Sequence, residues 1–141
     1  MKVLKLENET SFKQLDLEDC NDGSLFQLID GEVTDEGYVC RISENETNKV
    51  MGVRPSPRSY NIVEGLIKEE INQYQRWRIF SSGSNDKGIN WFHFLNVGYN
   101  RPLDITASDQ GFANVITFFN FHKGENQQFA IKVMKNLSNC S

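Results

Sequence analysis

The last third of the chain contains three residues, Asp104, Phe119 and Asn126, whose side chains together have the chemistry of a sugar site. An aromatic ring can cover the apolar C–H face of a sugar. A carboxylate accepts hydrogen bonds from adjacent hydroxyls, and an amide both donates and accepts them. His122 follows closely after Phe119 and can add a donor at the rim. Structural interpretations stay open, since Asp104 and Asn126 can shape turns and His122 can lie in a solvated loop.

Catalytic chemistry has little support in the sequence. The chain has no Gly-x-Ser-x-Gly elbow, no His-Glu-x-x-His pair, no Gly-rich phosphate loop and no Cys/His metal spacing. Its two histidines, His93 and His122, lie on different predicted strands, and no motif connects either one to a nucleophile. We therefore predict a protein that is not an enzyme and that uses no cofactor and no metal.

The elements that must position these residues are strands. Short runs of β-branched and aromatic residues are separated by turn residues at spacings of roughly 8–12 residues. Only Asn61–Gln75 also has a loose helical spacing. This pattern is typical of an all-β sandwich or barrel. The predicted strands are Val3–Leu6, Phe12–Leu17, Leu25–Ile29, Tyr38–Ile42, Val50–Val53, Asn61–Leu66, Arg76–Phe80, Trp91–Asn96, Leu103–Thr106, Asn114–Phe119 and Gln128–Met134.

One stretch of the chain occurs twice. The second copy, Tyr38–Ile79, and the third copy, Phe92–Ile131, begin with a run of aromatic and aliphatic residues and continue with a short apolar strand after a polar turn. Both end with Gln-x-aromatic-x-Ile, at Gln75–Ile79 and Gln127–Ile131. A period of about 50 residues indicates one supersecondary unit that is used several times.

The first third of the chain fits the same template less well. Leu15–Leu17 would match Leu103–Ile105, and Leu25–Ile29 would match Val115–Phe119. The segment that remains before Tyr38 is then too short for a full fourth strand. We therefore expect the first copy to be truncated or divergent.

The repeated pattern resembles that of the ricin B-type β-trefoil lectins, in which three four-stranded repeats each close on Gln-x-Trp. The third copy is the better match, with Leu103–Ile105 and Asn126–Phe129, whereas the second copy keeps Gln75–Trp77 and little else. The resemblance implies a single β-trefoil domain over residues 1–141, with repeats at about 1–37, 38–85 and 86–137. The alternative is another small all-β barrel or sandwich that carries an internal duplication.

The Gln-x-aromatic ends also have a physical explanation. A closed barrel capped by three hairpins needs three equivalent large apolar plugs, and Trp77 and Phe129 are spaced to supply two of them. Ile79 and Ile131 follow at period two and should face the same side. These positions are therefore mainly structural and by themselves indicate no sugar binding.

The resemblance implies one sugar site, in the third copy, with a galactose- or N-acetylgalactosamine-type ligand. Asp104 would be the carboxylate, Phe119 the stacking ring and Asn126 the amide, while Gln127 would buttress them. The family has Gln in place of Thr117, and Trp or Tyr in place of Phe119. The candidate site residues are Asp104, Thr117, Phe119, His122, Asn126 and Gln127.

The other two copies lack the full set of candidate residues. The second copy has Gly52 in place of the carboxylate and Tyr74 in place of the amide. The first copy keeps Asp16 and Gln27 but has Ile29 where the aromatic residue belongs. We therefore expect a lectin-like monomer with a single site, whose partner is a glycan or glycoprotein.

A second hypothesis is an interaction module that docks to a protein, as protease inhibitors and toxin or effector subunits with this fold do. Two prolines stiffen the run from Arg54 to Arg58, which is either a recognition loop or an ordinary turn. The loops that would carry the contact are Glu44–Lys49, Arg54–Tyr60 and Ser81–Asn90.

Composition narrows the possible partners and compartments. The net charge of −4 and the pI of about 5.2 argue against nucleic acid and anionic membranes, because phosphate contacts need clustered basic residues. No apolar run approaches the roughly 20 residues of a membrane-spanning helix. The sequence as written has no signal peptide, and its cysteine count is odd, which favours reduced thiols and the cytoplasm. Secretion with one disulfide remains the alternative, since Asn-x-Ser/Thr sequons occur at Asn8, Asn45, Asn136 and Asn139.

Overall fold

Antiparallel strands make up most of the chain that the computed structural model describes, which comprises residues 2–7, 11–16, 24–57, 60–84, 87–107, 113–118 and 121–131. Within these ranges only the backbone is described for residues 2–7, 11–16, 106–107, 113–114 and 125. The strands are β1 (Lys2–Glu7), β2 (Ser11–Asp16), β3 (Phe26–Thr34), β4 (Gly37–Glu44), β5 (Val50–Gly52), β6 (Tyr60–Ile62), β7 (Glu64–Leu66), β8 (Trp77–Ser84), β9 (Asn90–Asn96), β10 (Arg101–Ala107) and β11 (Ala113–Phe118).

The described residues contain no α-helix, so the predicted all-β class is confirmed. The first residues of the segment with helical spacing lie in β6 and β7, and Val63 between these strands donates its N–H to the carbonyl of Val115 on β11. Two short 3₁₀ turns, Gln73–Gln75 and Glu125–Gln127, precede the two aromatic positions Trp77 and Phe129.

The described strands form one eleven-stranded sheet in the order β1-β2-β7-β5-β4-β8-β9-β10-β11-β6, with β3 on β4. Every pairing is antiparallel, and long hairpins alternate with the shorter pairs that link them. The predicted last strand, Gln128–Met134, is reduced within the described residues to a single bridge between Phe92 and Phe129.

Two long hairpins have matching registers. In the pair β8–β9, Trp77 lies opposite Asn96, and in the pair β3–β4, Phe26 lies opposite Glu44. Both hairpins have a register shift a few residues further along the first strand. Phe26 therefore has the register position in the pair β3–β4 that Trp77 has in the pair β8–β9. The expected match of Leu25–Ile29 with Val115–Phe119 is wrong, because this segment pairs as β8 does and not as β11 does.

The second and third copies also match in their shorter pairs. Met51 lies opposite Gly65 in β5–β7, as Leu103 lies opposite Thr117 in β10–β11. This places Gly52 and Asp104 at equivalent positions, as the sequence alignment predicts.

The buried core forms around Trp77, whose side chain is fully buried. Its indole Nε1 donates to the Met51 carbonyl at 2.9 Å, so the ring is fixed at both its apolar and polar ends. Phe26 and Phe129 pack against the same core but are only partly buried. Ile131, expected to face inward, is 45% exposed.

Cys40 lies in this core as a free thiol, and burial raises its pKa to about 11. The other two cysteines lie outside the described residues. No helix among the described residues has the length and apolar character needed to cross a bilayer.

Candidate functional site

Asp104 is the centre of the candidate site. It lies on β10 opposite Ile116, and only 1% of its surface is exposed. Burying a carboxylate is costly unless hydrogen bonds compensate for the lost water. The structure supplies two such bonds, both from side-chain amides of the third copy.

These amides belong to Asn126 and Gln127, on the 3₁₀ turn that follows the loop at 121–124. Asn126 Nδ2 donates to Asp104 Oδ1 at 2.8 Å, and Gln127 Nε2 donates to Asp104 Oδ2 at 2.7 Å. Adjacent residues on a 3₁₀ turn have different directions, so the turn lets two neighbouring side chains approach one carboxylate from two sides. Asn126 is exposed and Gln127 is fully buried.

The loop backbone fixes Gln127 further. The N–H of Lys123 donates to Gln127 Oε1 at 3.1 Å, and the N–H of Gln127 donates to the carbonyl of Gly124 at 3.0 Å. The amide of Gln127 is therefore held at its oxygen by the loop and at its nitrogen by Asp104. The Gln127 side chain thus connects the loop to the carboxylate of Asp104.

His122 lies at the rim of the same cluster. Its Nε2 is 3.8 Å from Asp104 Oδ2, which is beyond hydrogen-bond range, and its side chain is 39% exposed. The N–H of Gly124 donates to His122 Nδ1 at 2.9 Å, so Nδ1 accepts and the neutral ring carries its proton on Nε2. The N–H at Nε2 of His122 therefore lies close to the Asp104 carboxylate without bonding to it.

Thr117 is not brought into this cluster. It lies opposite Leu103, one residue along from Asp104, and therefore points to the core side of the hairpin. Its side chain is fully buried, and its hydroxyl has no hydrogen-bond partner among the described residues. Phe119, the predicted stacking residue, lies outside the described residues.

Sequence reasoning gave no role to His93, which lies behind the cluster. His93 Nδ1 is 2.8 Å from the carbonyl oxygen of Gln127, and its ring packs edge-on against Phe121 with centroids 4.9 Å apart. A buried histidine in a strand flanked by Phe92 and Phe94 was a signal of a needed polar contact, but its partner is distant in sequence.

The second copy has the same turn without the carboxylate. Gln75 is fully buried, as Gln127 is, but its Nε2 donates to the carbonyl of Ile67 at 2.9 Å and its Oε1 accepts from the N–H of Glu69 at 2.8 Å. Gly52 stands in place of Asp104, and Tyr74 in place of Asn126. Gly52 has no side chain and Tyr74 has no amide, so these two positions cannot form the carboxylate–amide cluster of the third copy.

The third-copy cluster is an anchored carboxylate with amide and imidazole donors beside it. A carboxylate has about four lone-pair positions, and the two amides use two of them. The described residues contain no group of three or more His, Cys, Asp or Glu side chains placed to hold a metal ion. The arrangement is suited to binding neutral groups that both donate and accept hydrogen bonds.

Comparison with known proteins bears on the fold. A scan against protein-family models gives no match, and neither does a search of curated proteins. Among solved structures, the chain is similar to a designed protein with threefold symmetry, ThreeFoil, with a TM-score of 0.72 and 19% sequence identity. The match covers 94% of this chain and 91% of ThreeFoil, which is a designed β-trefoil.

The chain has a β-trefoil fold. The predicted trefoil is thereby confirmed, and the site can be placed within it. Asp104 lies on one strand of the β10–β11 hairpin, and its amide partners lie on the turn just before the bridge at Phe129. Trefoils host many functions, so function must be argued from this site.

Proposed function

We propose that the protein is a lectin-like β-trefoil that binds a carbohydrate at one site, built around Asp104. The observation that carries this proposal is the pair of amide bonds from Asn126 and Gln127 to the two oxygens of Asp104. The bonds fix the carboxylate before a ligand arrives, so less ordering entropy is lost on binding.

Asn126 would contact the sugar directly. One N–H of its amide is used on Asp104, and its exposed side chain keeps the amide oxygen and the second N–H for ligand hydroxyls. The remaining lone pairs of Asp104 would accept from an adjacent hydroxyl as that group enters the site. Two neighbouring hydroxyls on one ring face satisfy both groups together.

His122 would complete the polar contacts. A hydroxyl beside the pair of His122 Nε2 and Asp104 Oδ2, which lie 3.8 Å apart, would accept from the imidazole and donate to the carboxylate. The role of Phe119 as the stacking ring, and the galactose or N-acetylgalactosamine type of ligand, follow from the lectin resemblance alone.

We further propose that the chain consists of three repeats, at about 1–37, 38–85 and 86–137, with a divergent first repeat. The matched hairpins β3–β4 and β8–β9 support this, and so does the placement of Phe26 at the first aromatic position. Ser24 stands there in place of the glutamine. A monomer with one site would bind glycans without agglutinating cells.

A glycan array tests the proposal. The wild-type protein should give signals on galactose- or N-acetylgalactosamine-terminated glycans, and the variant Asp104→Ala should give none. The exposed Glu70→Gln variant is the matched control, since Glu70 lies at 87% exposure in the loop of the second copy. Circular dichroism of each variant checks that the fold is kept. Equal signals from wild type and Asp104→Ala would contradict the site.

A second candidate function, docking to a protein through loops, is favoured by the loop after β5. The N–H of Ser56 donates to the Tyr99 hydroxyl at 2.8 Å, and Asn61 Nδ2 donates to Ser56 Oγ at 2.7 Å. A loop that is held in this way is preorganised, while Arg54 at its start remains 71% exposed. An empty glycan array, together with a protein partner that is lost on Arg54→Ala, would favour this function.

A further inference from the structure

His93 connects the barrel to the segment that forms the candidate site. It lies on β9, only 2% exposed, and its Nδ1 is 2.8 Å from the carbonyl oxygen of Gln127. A carbonyl can only accept, so Nδ1 must carry the proton and donate. The backbone of Gln127 is thus tied to β9, while its side chain is tied to Asp104.

The imidazole ring holds the other end of the same segment. Phe121 packs edge-on against it with centroids 4.9 Å apart and an interplanar angle of 81°. Phe80 of β8 closes the group, with its ring centroid 5.3 Å from that of His93 and 6.0 Å from that of Phe121. His122 lies between Phe121 and the 3₁₀ turn, so one side chain constrains both flanks of the candidate site.

The equivalent position of the second copy has the same task with different chemistry. Cys40 pairs with Trp77 as Phe92 pairs with Phe129, so Arg41 is the counterpart of His93. Arg41 is 2% exposed, and its guanidinium donates to the carbonyls of Glu69 and Glu70, each at 2.9 Å. Arg41 and His93 thus have the same task. Each binds main-chain carbonyls of the segment that leads into the aromatic residue, Trp77 in one copy and Phe129 in the other.

We propose that His93 is a positioning residue of the Asp104 site. Its Nδ1–H fixes the Gln127 backbone and thereby the direction in which the Gln127 amide approaches Asp104. The consequence for sugar binding rests on the proposed function, whereas the consequence for the Gln127–Asp104 hydrogen bond does not. The two parts can therefore fail separately.

Two variants separate the donor of His93 from its ring. His93→Phe keeps an aromatic ring between Phe80 and Phe121 but removes the donor, and His93→Asn keeps a donor near the place of Nδ1 without the ring. The readout is the pair of side-chain amide proton resonances of Gln127 in a ¹⁵N–¹H correlation spectrum. N-acetylgalactosamine titration of each variant is the second readout.

We expect His93→Phe to move the Gln127 amide resonances towards those of a free glutamine, and His93→Asn to keep them near the wild-type positions. Sugar affinity should fall about tenfold in His93→Phe, the factor for one lost hydrogen bond, and recover in His93→Asn. Unchanged Gln127 resonances in His93→Phe would overturn the proposal, and so would resonances lost equally in both variants. Resonances that behave as expected in a protein that binds no sugar would support the positioning role and refute the proposed function.

Discussion

Gln75 and Gln127 occupy the same place in two copies of one unit, and the fold uses them differently. Both side chains are fully buried. Among the described residues, the Gln75 side chain bonds to main-chain atoms of Ile67 and Glu69 and so holds its own loop. Gln127 also accepts from a loop N–H, at Lys123, but its nitrogen holds the carboxylate of Asp104. A structural glutamine becomes part of a polar site only when the hairpin beside it supplies a partner.

The second copy is tightly packed at Gly52, the position where that partner would stand. A Cβ atom on Gly52 would lie 3.0 Å from Gln75 Cγ, 3.1 Å from the Tyr74 carbonyl oxygen and 3.2 Å from Leu66 Cδ1. These distances are tighter than ordinary contact, so a side chain at position 52 would press on Gln75 in its present position.

The loops above the two glutamines differ in the same sense. In the second copy, Ile67 is 80% exposed and Ile71 is 95% exposed, on a loop that Gln75 and Arg41 hold from beneath. In the third copy the corresponding loop carries the polar His122 beside Asp104. An aliphatic surface cannot replace the hydrogen bonds that hydroxyls need, so we expect sugar binding at the third copy and not at the second.

The largest expected difference between the copies is in stability at their aromatic positions. Trp77→Ala should lower the free energy of unfolding by ~3–5 kcal/mol, because the ring is fully buried and a cavity remains. Phe129→Ala should lower it by less than ~3 kcal/mol, because that ring is only partly buried. Urea unfolding followed by far-UV circular dichroism measures both values. A larger loss for Phe129→Ala would contradict the unequal packing of the two copies.

Asp104→Ala should have the next largest effect. The variant removes the charged acceptor of one hydrogen bond from Asn126 and of one from Gln127, and a hydrogen bond to a charged group contributes ~1.5–3 kcal/mol. Asp104→Asn keeps the shape but presents an N–H₂ to one of these donors, so it should lose sugar binding with a smaller loss of stability. Thermal unfolding of the two variants, beside a sugar titration, makes the comparison.

Gly52→Ala tests whether the second copy is closed to a side chain. Two of its three close neighbours are side-chain atoms that can shift, so the expected loss of stability is ~1 kcal/mol, at the low end for overpacking. The double variant Gly52→Asp/Tyr74→Asn should still bind no sugar, because Gln75 keeps its main-chain partners. A gain of sugar binding in that variant, measured by titration, would contradict this expectation. It would show that the residue types at positions 52 and 74 alone account for the difference between the two copies.

The smallest expected effect is on the pH dependence of stability. It concerns the residues that pair with Phe26 and Trp77 across their hairpins. Glu44, opposite Phe26, accepts from the Thr47 hydroxyl at 2.6 Å and from the N–H groups of Thr47 and Glu46. Burial works to raise the pKa of Glu44, but these bonds outweigh it and hold the pKa below its usual 4.5. Asn96, opposite Trp77, has no charge to lose.

A carboxyl group whose pKa is lowered by folding stabilises the fold at any pH above its pKa in the unfolded state. This contribution is lost as the pH falls through its pKa in the folded state. Glu44→Gln should therefore be less stable than wild type at pH 7, and the difference should shrink below about pH 4.5. Urea titrations at several pH values measure it, with the exposed Glu46→Gln as control. A difference that stays constant down to pH 3 would contradict the linkage.

The strand pattern and the polar cluster were largely predictable from the sequence. Trp91–Asn96 and Asn114–Phe119, predicted from β-branched and aromatic runs, lie within about one residue of β9 and β11. The resemblance predicts that Asp104, Asn126 and Gln127 share one site, and the structure places both amides within hydrogen-bond distance of the carboxylate. Local patterns are enough where the partner segments belong to one copy.

Other features depend on contacts that a local pattern does not contain. Phe26 was not assigned to an aromatic position because Ser24 replaces the expected glutamine, and only the register of β3 with β4 identifies it. The core-facing direction of Thr117 could have been read from period two, since Asp104 and Leu103 must face opposite sides. The role of His93 could not be predicted in this way, because its partner Gln127 is distant in sequence and comes close only in the folded chain.

The most direct test of the central claim is a ¹⁵N–¹H correlation spectrum of the side-chain amides during titration with N-acetylgalactosamine. We expect the resonances of Asn126 and Gln127 to shift with increasing sugar, those of Gln75 and Asn96 to stay in place, and Asp104→Asn to abolish the shifts. Shifts at Gln75 in place of Gln127, or identical shifts in Asp104→Asn, would contradict it.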